Sequence, residues 1–127
     1  EYKGWRICPL ICYDLRFPVF SRNSENYDLL IYLANWPKSR ITHWKHLLIA
    51  RAIENQSYVI GLNRTGVDGN GVDFNGQSMI VGPDGKIVHK ADEKEFVSDF
   101  IIQKSQLKLT RKKYPFLNDA DNFKINI

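Results

Sequence analysis

Residues 29–62 read LLIYLANWPKSRITHWKHLLIARAIENQSYVIGL, and this stretch decides the fold class. Leu29 to Ala34 is an unbroken apolar run of strand length, as expected of a strand buried on both faces. Asn35-Trp36-Pro37 interrupts it, because proline cannot continue the ladder. From there the period changes from two to three and four. Thr42 is placed to cap a helix in which Trp44, Leu47, Leu48, Ala50 and Ile53 extend an apolar stripe, with Arg51 and Glu54 beside it. Tyr58 to Leu62 returns to strand composition. A strand, a helix and a strand in this order predict a parallel crossover.

Working outward, Tyr2 to Ile11 predicts a hairpin turning at Lys3-Gly4 and then a strand. Pro9 would delete one ladder donor there and suggests a bulge. Cys12 to Arg16 is a connection, and Pro18 suits the first turn of a short helix ending near Arg22. Arg64 to Gly76, with four glycines, reads as a long loop or hairpin tip. Gln77–Val81 and Lys86–Lys90 flank the turn Pro83-Asp84-Gly85 as a hairpin. Phe96 to Ile102 reads as a further strand and Ser105 to Lys113 as a terminal helix. The whole predicts an α/β protein with a mixed sheet.

Composition narrows the function classes. With 43% hydrophobic and 25% charged residues, the chain is neither a disordered tail nor a disulfide scaffold. The longest stretch free of charged and amide side chains, Ile7 to Tyr13, is far short of the ~18 residues that span a bilayer, so no membrane partner is expected. The basic run Arg111-Lys112-Lys113 suits the end of a helix and comes with no recognition motif, so no nucleic-acid partner is expected either. Cys8 and Cys12 would stand about 13 Å apart on one strand face, beyond disulfide reach. They have no ligand cluster around them, and His43, His46 and His89 are dispersed, so neither a metal nor a cofactor is expected. Free thiols point to a reducing, cytoplasmic setting. The chain opens on Glu1, and its single methionine is Met79; this suggests a piece of a longer or processed protein.

The chemistry concentrates in Leu10-Ile11-Cys12-Tyr13-Asp14-Leu15-Arg16-Phe17-Pro18. An apolar strand delivers a cysteine to a sharp connection, where a nucleophile would project from the sheet edge beside free backbone N–H groups. Sulfur suits acyl transfer, although a buried cysteine serving as a small hydrophobe is the commoner role. Cys8 has no elbow and reads as structural. A cysteine–histidine hydrolase using His43, His46 or His89 as base is a further, weaker option.

The string ICYDLRFPVFSRN resembles the nucleophile region of the carbon–nitrogen hydrolase (nitrilase) superfamily, and within it the bacterial omega-amidases. The resemblance continues through YDLLIYLANWP, HWKHLLIARAIENQSYVIGLNRTG and DGNGVDFNGQSMIVGPDGKIV, thins after Ala91, and returns in KYPFLNDADNF. It implies the C-terminal half of a four-layer α-β-β-α sandwich, with residues 1–127 forming a single partial domain that lacks its N-terminal half. It implies that Cys12 attacks an amide carbonyl, releases ammonia and leaves a thioester for water, with the Tyr13 backbone N–H in the oxyanion hole. Asn35 and Trp36 would line the pocket floor, or form a strand-terminating turn with one packed aromatic. Asp14 and Arg16 would be a buried ion pair holding the elbow, and Arg51, Glu54 and Asn55 a network fixing helix to sheet.

The superfamily's glutamate base and lysine precede the cysteine by far more than eleven residues, so Glu1 and Lys3 do not fill those roles. The resemblance therefore implies a small-molecule substrate, a 2-oxo acid with a terminal amide, hydrolysed by a full-length parent that forms a homo-oligomer. This fragment would be inactive alone. Arg64 is one candidate for gripping the substrate carboxylate, and reads more simply as a solvated loop charge. The alternative is a non-catalytic scaffold or assembly module, pairing through the Trp44–Glu54 helix and the C-terminal tail.

Overall fold

The computed structural model describes residues 1–124. The stretch quoted first forms β2 (Leu29–Ala34), α1 (Ile41–Asn55) and β3 (Tyr58–Asn63). With β1 (Ile7–Ile11) these make three parallel strands in order, pairing Ile7 with Leu29 and Leu29 with Tyr58. A hairpin of β4 (Thr65–Val67) and β5 (Asp73–Asn75) stands apart from this sheet. β6 (Met79–Val81) then pairs antiparallel with β3, and β7 (Ile87–Lys90) with β6, so the sheet is mixed and ordered β1-β2-β3-β6-β7. The last helix is α2 (Lys104–Lys113).

Side-chain alternation divides the sheet's two faces. Leu30, Tyr32, Val59 and Val81 face α1, meeting Trp44, Leu48 and Ala52 in the main core. Gly61 is what lets the helix come this close: a Cβ there would stand 2.4 Å from Leu48 Cδ1. The opposite face buries Leu29 and Tyr58 against Leu107 of α2. Farther along the same face, toward the strands' C-terminal ends, Ile11, Leu33 and Leu62 are 68%, 53% and 44% exposed.

A charged latch holds α2 at the other end of the sheet. Arg111 donates through Nε to the Gln56 carbonyl (2.9 Å) and through Nη2 to the Tyr27 carbonyl (2.6 Å). Asp28 accepts from Lys104 Nζ at 2.9 Å and from the Arg6 N–H at 3.0 Å.

Three local expectations need correction, and the alternative left open for residues 64–76 resolves to a hairpin. Thr42 caps nothing: a 3₁₀ turn (Lys38–Arg40) leads into a helix that begins at Ile41, and Arg40 is its N-cap. Pro9 causes no bulge, because β1 pairs with β2 in unbroken register and lies at the sheet's edge, where a missing donor is tolerated. The loop from Arg64 to Gly76 contains the β4–β5 hairpin. Phe96–Ile102 is not a strand. Its rings pack instead on His89, with centroids 5.9 Å away for Phe96 and 4.1 Å for Phe100.

Candidate active site

Strand β1 ends at Ile11, and the next residue is Cys12, with φ +38°. A non-glycine residue in this left-handed region costs on the order of 1–2 kcal/mol and persists only where its surroundings enforce it. The enforcement is visible. The Ile11 N–H donates to Asp14 Oδ2 at 2.8 Å, and the Phe17 N–H donates to the Asp14 carbonyl at 3.0 Å, closing a 3₁₀ turn over Cys12–Arg16. Leu15, in that turn, is 0% exposed, and its carbonyl accepts from Arg51 Nη2 at 2.7 Å. Helix α1 thus clamps the elbow from below.

The Tyr13 N–H, in the first turn, has no acceptor inside the 3₁₀ turn. The Tyr13 side chain plays no part in this; it is exposed and packs edge-on against Phe17 at 5.2 Å. Cys12 Sγ lies 3.9 Å from the Asn35 carbonyl oxygen, to which its S–H donates. Cys8, four residues earlier on β1, packs toward the main core, and burial pushes its thiol up. It is the poorer nucleophile position.

The C-terminal ends of β1, β2 and β3 open together into a cleft of about 1190 Å³, lined by Cys12, Asn35, Asn63, Arg64 and Ser78 among others. Asn63 organises its floor. Its Oδ1 accepts from the Trp36 N–H at 2.6 Å, while Nδ2 donates to the carbonyls of Trp36 (3.0 Å) and Gly76 (2.8 Å). Its own N–H donates to Ser78 Oγ at 2.9 Å. Sequence reasoning passed over Asn63 and Ser78; the signal was a polar side chain ending an otherwise apolar parallel strand.

Asn35 borders the cleft, but Trp36 does not: it is 2% exposed, donates Nε1–H to the Arg40 carbonyl at 2.7 Å, and stacks at 5.6 Å on Trp44. It is the packed aromatic of a strand-terminating turn. Asp14 and Arg16 form no ion pair. Asp14 is half-buried and serves the Ile11 N–H, while the Arg16 guanidinium lies 4.6 Å over the Trp36 ring and 3.4 Å from His43 Nδ1.

Arg51, Glu54 and Asn55 lie away from the cleft and tie α1 to its neighbours. Arg51 Nη1 meets Glu54 Oε1 at 2.9 Å, and Asn55 accepts twice from Asn23, at Oδ1 from its N–H and at the carbonyl from its Nδ2, each at 2.9 Å. None of the three histidines lines the cleft, and none bonds to the Cys12 sulfur. His46 Nδ1 is spent on the Thr42 carbonyl of its own helix. The carboxylates that border the cleft are Asp92 and Glu95, on the segment after β7.

Three comparisons place this geometry among known proteins. The family model described as carbon-nitrogen hydrolase matches residues 1–112. Omega-amidase YafV of Escherichia coli strain K12 is 51% identical over 98% of this chain and 49% of its own length. The 2-oxoglutaramate amidase of Paenarthrobacter nicotinovorans is 44% identical over 85% of this chain and 37% of its own. Among solved structures, XC1258 from Xanthomonas campestris, a CN-hydrolase superfamily protein with an arsenic adduct in its active site, matches with a TM-score of 0.97 at 42% identity. That match covers 99% of this chain and 51% of XC1258. The chain spans about half the length of the curated relatives it matches.

Proposed function

Because this chain belongs to the carbon–nitrogen hydrolase family, we propose that it carries the nucleophile half of an amidase acting on the terminal amide of a small 2-oxo acid. The observation that carries this reading is the strained elbow at Cys12, opening onto a cleft at the ends of three parallel strands. The names of the relatives, omega-amidase and 2-oxoglutaramate amidase, support the substrate class.

In the proposed reaction, the Cys12 sulfur forms a bond to the amide carbon, and the carbonyl electron pair moves onto oxygen. The Tyr13 backbone N–H faces that oxyanion. Collapse of the adduct breaks the C–N bond, the nitrogen leaves protonated as ammonia, and a thioester remains. Water then attacks the thioester carbon, the C–S bond breaks, and the acid is released. Asn35 lines the approach to the sulfur. The proton transfers need a base, and no carboxylate or imidazole among the described residues bonds to Cys12 Sγ. We assign the base and the supporting lysine to polypeptide outside these 127 residues, so that residues 1–127 constitute one half of a sandwich and are inactive by themselves. The parent is proposed to act as a homo-oligomer in the cytoplasm, where two free thiols persist.

The test uses the full-length protein with 2-oxoglutaramate. Replacing Cys12 by Ala should lower ammonia release by at least about 10⁴-fold, the usual scale for losing a nucleophile. The wild-type enzyme, quenched during turnover, should carry an acyl group on the peptide containing Cys12. A Cys12→Ala protein that keeps its rate removes Cys12 from the chemistry. Iodoacetamide separates the scaffold alternative: a catalytic Cys12 is alkylated faster than a cysteine in a free peptide, and a scaffold cysteine is not.

A further inference from the structure

Arg64 stands one residue beyond β3, as Asn35 stands beyond β2 and Cys12 beyond β1. The register aligns Ile11 with Leu33 and Leu33 with Leu62, so Asn35 and Arg64 emerge one residue step, about 3.3 Å, beyond the level of Cys12. With strands about 4.8 Å apart, two strand spacings put the Arg64 backbone roughly 10 Å from that of Cys12. Both residues border the same cleft. The Arg64 backbone is pinned on two sides: its N–H donates to the Ala34 carbonyl at 3.2 Å, and its carbonyl accepts from the Gly76 N–H at 3.0 Å.

Its side chain is held differently from the arginines that build the fold. Arg51 and Arg111 spend their donors on carboxylates and carbonyls. The Arg64 guanidinium carbon lies 4.7 Å over the ring of Phe74, a ring that is itself buried, and meets no carboxylate among the described residues. Stacking on an aromatic face orients the planar fork and leaves its N–H edge open. A fixed guanidinium with free donors beside a nucleophile fits a carboxylate, which it can bind through two parallel hydrogen bonds. Lys94 also borders the cleft but lies between Glu93 and Glu95 in the chain, whose charges oppose its own.

We propose that Arg64 receives the carboxylate of the substrate and so determines specificity for anionic linear amides; this deepens the amidase reading and rests on it. A five-carbon 2-oxo acid carries its carboxylate and its amide at opposite ends, four C–C bonds of about 1.5 Å and roughly 5 Å apart, so the two ends are met by different groups of the cleft.

The experiment compares 2-oxoglutaramate with pentanamide, of equal chain length but without the carboxylate, in the full-length protein. Arg64→Gln should raise KM for the 2-oxo acid by about 10- to 100-fold, the worth of a charge-assisted pair. Its loss of kcat/KM on the acid should exceed its loss on pentanamide by the same factor, and Arg64→Lys should recover part of it. Equal losses on both substrates would make Arg64 a packing residue and overturn the proposal, as would no loss on the acid. Calorimetry keeps this separate from the amidase reading: 2-oxoglutarate is titrated into Cys12→Ala protein with and without Arg64→Gln, where no turnover is needed. Weaker binding in the double variant supports Arg64, and unchanged binding overturns it. A wild-type protein that hydrolyses no 2-oxo amide would sink the amidase reading while leaving this titration to decide on Arg64.

Discussion

Replacing Gly61 by Ala tests whether the contact between α1 and the sheet is as close as it appears. The added Cβ would sit 2.4 Å from Leu48 Cδ1, 2.7 Å from Trp44 Cζ2 and 3.0 Å from Leu48 Cδ2. Neither neighbour has room to yield. Both are fully buried, and the Trp44 indole is anchored by its Nε1–H donating to the Gln77 carbonyl at 3.0 Å. Overpacking of this kind costs about 1–3 kcal/mol. Against it stands the reduced freedom of the unfolded chain, which favours alanine by about 0.4–1 kcal/mol. The clash wins, leaving a net loss of about 1–2 kcal/mol, which with a urea slope of about 1–3 kcal/mol/M lowers the unfolding midpoint by roughly 0.3–2 M. Leu48→Ala alone should cost about 2–5 kcal/mol. In the double variant the alanine Cβ at position 61 partly fills the space vacated by Leu48. The combined cost should therefore fall short of the sum by at least about 1 kcal/mol, a coupling that contacting residues routinely show. Additive costs, or a Gly61→Ala protein more stable than the wild type, would refute the packing argument.

Two further outcomes follow from the polar anchors. Arg51→Met keeps the aliphatic stem but strands the buried Leu15 carbonyl, so stability should fall by about 1–3 kcal/mol and, because that carbonyl belongs to the elbow, kcat should fall with KM little changed; unchanged kcat in a folded variant would disconnect α1 from Cys12. Asp28 is pulled upward by burial, but the Arg6 N–H, Lys104 and Arg111 outweigh this and hold its carboxyl below the ordinary 3.8. A depressed folded-state value stabilises above 3.8 and is lost as pH falls through the folded value, so acid should release α2 first, seen as faster proteolysis after Lys104. Asp28→Asn should lose that acid dependence, and an unaltered profile would mean the latch carries no linkage.

Much of the fold was legible because the decisive signals were local. Leu29–Ala34 could be read as buried on both faces since no charge interrupts it, and the change of period after Pro37 marked the helix. The errors share a cause: each concerned a partner that the local sequence does not name. Thr42 had the chemistry of a cap, but the chain tightens into a 3₁₀ turn just before it, and the helix starts too early for it to serve. Phe96–Ile102 has the aromatic and β-branched content of a strand, yet a strand exists only when another pairs with it, and here the rings pack on His89. Asp14 and Arg16 have opposite charges two residues apart, but the turn sends one to the Ile11 N–H and the other over Trp36. The site divided in the same way. Cys12 announced itself by its place between an apolar strand and a proline-led turn, whereas Asn63 acquires its role only when β3 is laid beside β2 and β6.

For the proposed nucleophile, placement and activation are separate properties, and the contacts among the described residues build the first. The strain at Cys12, on the order of 1–2 kcal/mol, is small beside what holds it. A buried leucine, a charge-assisted bond from Arg51, and the carboxylate of Asp14 on the Ile11 N–H together contribute several times that amount. The elbow geometry is therefore enforced whatever occupies the cleft. The hydrogen-bond partner of the sulfur is of the opposite kind: the Asn35 carbonyl can accept an S–H proton's hydrogen bond but cannot take the proton away. Ile11, Leu33 and Leu62 lie exposed on the same sheet face, at the level where the cleft opens. A surface that covered them would exclude water from the sulfur's surroundings and could bring a base to it in the same step. In such a site, positioning is settled by the core beneath the sheet and reactivity by whatever closes over it.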